Sequence, residues 1–158
     1  MSEQHKKIYD YVKETLNSES KKILIDFFDY LLANEFTLVD DGGYKFAYLE
    51  SDLCLVHIYN SNDYWIYWNY DVVEHKKFPI NDDLKIFIQK CAKICTGACG
   101  CPGKPPENPQ ISNILGKEYD NICSHCTLAF GNINADDMEN VKKVADLCKL
   151  IIIDTKKS

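Results

Sequence analysis

A chain of 158 residues, 46% hydrophobic and 27% charged, has the length and composition of one domain with a core of its own. Its net charge is −6 and all 18 basic residues are lysine, so it lacks the planar guanidinium that reads guanine edges and grips phosphate bidentately, and we expect no nucleic-acid partner. The opening MSEQHKKIYDYVKETL carries no apolar stretch before a small-residue cleavage site, and no apolar run approaches the roughly 20 residues of a membrane span. We therefore expect no signal peptide, no membrane partner and a cytoplasmic location.

Taken in chain order, Ser2 has the side chain of a helix N-cap, and Ile8, Val12 and Leu16 recur at helical spacing behind it. A second helix is expected from Glu19 to Asn34, with Ile23, Leu24, Phe27, Phe28, Leu31 and Leu32 inward, so the two helices form a pair with a tight connection. The period then changes from helix to strand. Phe36–Val39 is followed by the turn signal Asp40-Asp41-Gly42-Gly43, and Tyr44, Phe46 and Tyr48 alternate with Lys45 and Ala47. Leu53 to Tyr59 and Tyr64 to Tyr70 read as two longer strands separated by Asn60-Ser61-Asn62-Asp63, and Val72-Val73 can start another. Close strands with short polar turns predict an antiparallel meander of about four strands.

Asn81-Asp82-Asp83 then supplies an N-cap and an acidic first turn for a helix expected to end near Cys95, before Thr96-Gly97. From there to about Ala129 the abundance of proline and glycine predicts irregular chain, a stretch too long to stay ordered in a compact domain without something to tie it down. Asn134 caps a last helix, acidic at its start, with Met138, Val141, Val144, Ala145 and Cys148 in its buried stripe. The expected fold class is α+β: a helical pair and further helices packed on the meander, with a Cys-rich loop before the last helix. As one domain over 1–158, this divides into helix–meander–helix at 1–94, the Cys-rich loop at 95–130 and the C-terminal helix at 134–153.

Six of the eight cysteines fall between Cys91 and Cys126. In a reducing compartment structural disulfides are rare, so clustered thiols point to metal or redox chemistry. Cys99-Gly100-Cys101 brings two thiols together across a glycine, Cys95 stands one turn earlier, and Cys123-Ser124-His125-Cys126 has the CxxC spacing that lets two sulfurs face one ion. The candidate metal ligands are Cys95, Cys99, Cys101, Cys123 and Cys126, with zinc as the expected ion. The first four-ligand set is Cys99, Cys101, Cys123 and Cys126, with Cys95 competing for a place and His125 able to replace a thiol. Iron–sulfur ligation needs the same thiolates, and disulfides among these residues are the bland alternative. Cys54, Cys91 and Cys148 sit in strand or helix patterns and are expected to fill apolar space.

No Ser-His-Asp ordering, Gly-rich phosphate loop or HExxH is present, so no catalytic residues are named. His57 reads as a half-buried strand residue. The aromatic run Tyr64-Trp65-Ile66-Tyr67-Trp68-Asn69-Tyr70 reads first as strand packing and second as a face able to stack a neutral or cationic ring.

The run Ile114-Leu115-Gly116-Lys117-Glu118-Tyr119-Asp120-Asn121-Ile122-Cys123, following Cys99-Gly100-Cys101-Pro102, resembles the tail of small uncharacterised bacterial proteins that pair a compact α+β domain with a Cys-rich segment. The resemblance covers roughly the last third of the chain. It implies that the loop and the last helix act as one unit, and it implies no activity. The functional expectation is a non-enzymatic domain with a structural zinc site that binds a protein or small-molecule partner. The alternatives are a thiol redox protein or sensor, and an enzyme built on a catalytic zinc with an open position.

Overall fold

The computed structural model describes residues 1–40, 42–68, 78–94, 110–123 and 127–158, with backbone alone at 110–112 and 123. Helix α1 (Glu3–Thr15) starts where the Ser2 hydroxyl accepts from the His5 N–H at 3.1 Å, and α2 (Ser18–Ala33) where Asn17 accepts from Ser20 at 2.9 Å. These side chains satisfy amide donors that the first helical turn leaves unpaired. The short connection folds α2 back on α1, and the Tyr9 hydroxyl donates to the Asp29 carboxylate at 2.6 Å.

Strands β1 (Thr37–Asp40), β2 (Tyr44–Tyr48), β3 (Ser51–Asn60) and β4 (Asp63–Trp68) form the expected meander. A fifth strand, β7 (Leu128–Gly131), joins beside β4, giving an antiparallel sheet in the order β1-β2-β3-β4-β7. Its inner face buries Leu38, Phe46, Cys54, Val56, Tyr64, Ile66, Trp68, Leu128 and Phe130. Leu53 is the extra residue at a bulge between β2 and β3, and it is as fully buried as Cys54 beside it. Simple alternation fails there because a bulge sets two residues of one strand against one of its neighbour.

All four described helices contribute to one core. Phe28 packs its ring 5.0 Å from that of Phe46, while Phe87 of α3 (Asp82–Lys90) stacks on Phe130 at 5.6 Å. Helix α4 (Ala135–Lys157), capped by Asn134, buries Val141, Val144, Ala145, Cys148, Ile151 and Ile152. None of the described helices is long and apolar enough to cross a membrane.

Two expectations are corrected. The third helix ends at Lys90 rather than near Cys95, because Ala92 and Ile94 are drawn into backbone bridges with Leu128 and Ile122. The chain before Ala129 is also not irregular throughout. Residues Gln110–Ile114 (β5) and Lys117–Cys123 (β6) form a hairpin, and β7 follows. The hairpin turns on Leu115 and Gly116, both left-handed at φ 51° and 89°, which is the two-residue turn whose twist suits paired strands. Asn121, at φ 60°, lies where β6 has more residues than β5, a position asparagine tolerates better than most. The hairpin is fixed to α3 by Gln89, whose amide donates to the Ile114 and Leu115 carbonyls, and by the Tyr119 hydroxyl, which donates to the Gln89 carbonyl at 2.6 Å. The Val72-Val73 strand start lies outside the described residues.

Candidate metal centre

Of the five candidate ligands, Cys95, Cys99, Cys101 and Cys126 lie outside the described residues, as does His125, and Cys123 is described in its backbone alone. What the structure places is the frame around them. Segment 91–94 runs between β7 and β6. On one side the Ala129 N–H donates to the Cys91 carbonyl at 3.0 Å, and the Lys93 N–H donates to the Thr127 carbonyl at 2.9 Å. On the other side Ile94 bridges Ile122. Ile94, Ile122 and Thr127 are the immediate chain neighbours of Cys95, Cys123 and Cys126. Backbone pairing therefore gathers the described positions that flank three of the five thiols, although the first two are separated by most of the Cys-rich region. Ile122 and Thr127 are fully buried while Ile94 is exposed, so this junction lies at the edge of the core.

Thr127 is a buried polar residue that sequence reasoning passed over. It is 0% exposed, and its hydroxyl has no hydrogen-bond partner among the described residues. An unpaired buried polar group costs about 1–3 kcal/mol, so such groups are rare and call for a physical account. The only sequence signal was its position next to Cys126.

The remaining thiols behave as expected for apolar filling. Cys54 and Cys148 are fully buried, Cys91 is half-buried, and all three are free of disulfides. Burial pushes the Cys54 thiol well above its ordinary range, with neighbouring Cys148 adding to the effect, and burial raises Cys91 to about 11. Thiols so hard to ionise are poor nucleophiles and poor ligands. The Trp68 indole N–H donates to the Cys148 sulfur at 3.2 Å, which gives that cysteine a packing role. Among the described residues no group of three or more His, Cys, Asp or Glu side chains could hold a metal ion.

The outer face of the sheet carries the second candidate. Strand alternation sends Tyr64, Ile66 and Trp68 inward and leaves Trp65 and Tyr67 half-exposed, beside half-buried His57 and exposed Tyr59. The Trp65 and Tyr67 rings are nearly parallel at 14°, while His57 meets Tyr67 edge-on at 68°. The Trp65 ring lies so close over Gly131 that a Cβ there would come within 2.6 Å of it. Lys93 sets its ammonium 4.5 Å from the centre of the Tyr67 ring. Asn69 and Tyr70, the end of the aromatic run, lie outside the described residues.

Comparison with family models, with curated proteins and with solved structures gives no match for this chain.

Proposed function

We propose that this protein is a non-enzymatic binding domain of a reducing, cytoplasmic compartment, whose Cys-rich region is organised by zinc held on thiolates drawn from Cys95, Cys99, Cys101, Cys123 and Cys126. The observation that carries the proposal is the junction at Ile94, Ile122 and Thr127. One bridge and one backbone hydrogen bond draw together the chain on either side of the cysteine stretches. Two stretches that enter from adjacent points can close on one tetrahedral ion without distorting the core, and thiolate sulfur suits zinc. The outer aromatic face supports a binding role. Ring faces edged with hydroxyls and a lysine suit a neutral or cationic planar ligand, and the net charge of −6 disfavours an anionic one.

The test is metal content measured beside free-thiol count, on the full chain purified under reducing conditions. The expected result is about one equivalent of zinc that survives dialysis, with the ligating thiols slow to titrate until a chelator is added. No bound metal, together with fast reversible oxidation of Cys123 and Cys126, would replace this reading with thiol redox chemistry.

A further inference from the structure

We infer that the cavity beside the Trp65 and Phe87 rings, where β4, β7, the end of α3 and the start of α4 meet, seats a small planar cation, with the Asp137 carboxylate as its charge partner. The inference rests on the ligand-binding part of the reading above, which it deepens, and is independent of the zinc.

The cavity has a volume of about 220 Å³, and every residue named here as lining it is described. That is below the several hundred Å³ of a site for a drug-sized molecule, so it admits about one ring with a short substituent. Its walls are fixed. Phe87 is stacked on Phe130 with ring planes 4° apart, and both are buried. The Trp65 indole N–H donates to the Asp63 carboxylate at 3.0 Å, and the ring lies against Gly131, where even a Cβ would crowd it. Neither ring can swing into the space without giving up these contacts. The slot is therefore preorganised, and a ligand entering it has no wall to reorder.

The charge class follows from what lines the slot. The face of an indole attracts a cation more strongly than other aromatic faces do. On the neighbouring Tyr67 ring that place is taken by Lys93, whereas among the described residues no cation lies over Trp65. Asp137 and Lys90 bring opposite charges to the rim of the cavity. Lys90 is exposed on a flexible four-carbon stem. Asp137 is half-buried in the first turn of α4, its backbone N–H held by the Asn134 side chain at 2.8 Å. The fixed charge is thus the negative one. Cys91 also lines the cavity; burial raises its thiol to about 11, so at neutral pH it offers a ring a polarisable contact and no charge.

The experiment is a heteronuclear NMR titration of the full chain with three probes of one shape: benzamidinium, benzamide and benzoate. Benzamidinium is expected to shift the Trp65 indole and Gly131 amide resonances saturably, with a Kd on the order of 1 mM. Benzamide should bind about fivefold more weakly, and benzoate more weakly still. Asp137→Asn should bring benzamidinium down to the affinity of benzamide, and Lys90→Gln should strengthen its binding. Because Lys90 is exposed, the second variant keeps the test decisive if Asp137→Asn does not fold. Equal affinity for the cation and the neutral probe, unmoved by the variants, would overturn the cationic class. Saturable shifts confined to Tyr59 and Tyr67 would overturn the cavity as the seat while leaving the aromatic face as a binding surface. No saturable shift with any probe would overturn the inference and the binding role of that face together, with the zinc reading untouched.

Discussion

At the scale of single residues, the thiols divide by their surroundings. Cys54 and Cys148 face the core from β3 and α4, and neither is exposed. Alkylation of the native, chelated protein followed by mass spectrometry should leave both unmodified until denaturant is added; rapid native labelling of either would show that the core is not closed as described. Cys91 adds a pH dependence whose sign can be worked out. Its ordinary value is 9.0 and burial raises it to about 11. Below about 9 the thiol is neutral in both folded and unfolded chains, and its contribution is fully present. Between about 9 and 11 the unfolded chain releases its proton while the folded chain keeps it, so stability falls as pH rises. Burial of the Tyr44 and Tyr64 hydroxyls, each raised to about 12, acts in the same direction at higher pH. The urea midpoint should therefore decline from pH 9 upward, and Cys91→Ala should lessen the decline between 9 and 11. An identical slope in the variant would remove Cys91 from the account.

At the scale of elements, the turns hold a reserve of stability. Leu49 and Glu50, between β2 and β3, both have left-handed backbones at φ 46° and 66°, and both side chains are exposed. Asn-Gly is the pair this two-residue turn favours. Because nothing buried is lost, Leu49→Asn with Glu50→Gly should stabilise the domain by about 1 kcal/mol, read as a raised denaturation midpoint at unchanged slope. A lowered midpoint would mean that the Leu49 side chain packs in a way its exposure conceals. The same element scale shows why part of the fold was legible beforehand and part was not. Ser2, Asn81 and Asn134 announced their helices because a cap is a local event, with donor and acceptor three residues apart. Strands β2 to β4 alternated visibly because each buries one face. The end of α3 was misread because Cys91-Ala92-Lys93-Ile94 suits a helix by itself, and pairing with chain some thirty residues away overrode that preference. Hairpin β5–β6 escaped because its register slips near Asn121, which breaks the period-2 signal. Four-residue β7 escaped because its partner β4 lies sixty or more positions earlier.

For the whole molecule, the question is how far the Cys-rich region and the core depend on each other. The core around Phe28, Phe46, Trp68 and α4 draws on described residues between 8 and 68 and between 84 and 152. The cysteines were conspicuous in the sequence for a chemical reason, their density. The pairing of the chain that flanks three of them was not, because it depends on a seam of two bridges and two backbone hydrogen bonds that no local pattern announces. Among the described residues, that seam joins the five-stranded sheet to the hairpin through segment 91–94. In a small zinc finger the metal supplies the folding energy, and chelation unfolds the chain. A chain of 158 residues with an extensive hydrophobic core should respond differently. Chelation should leave the far-UV circular dichroism and the burial of Trp68 intact, and lower protection against hydrogen exchange locally, as expected for a sub-global opening. The amides of Lys93 and Ala129, which cross the seam, and those pairing β5 with β6 should exchange faster, while those pairing β2 with β3 should not change. Complete unfolding on chelation would show that the core depends on the metal. Unchanged exchange at Lys93 and Ala129 in protein shown to have lost its zinc would show that the ion does not organise the seam, and the link between the cysteines and the fold would be lost.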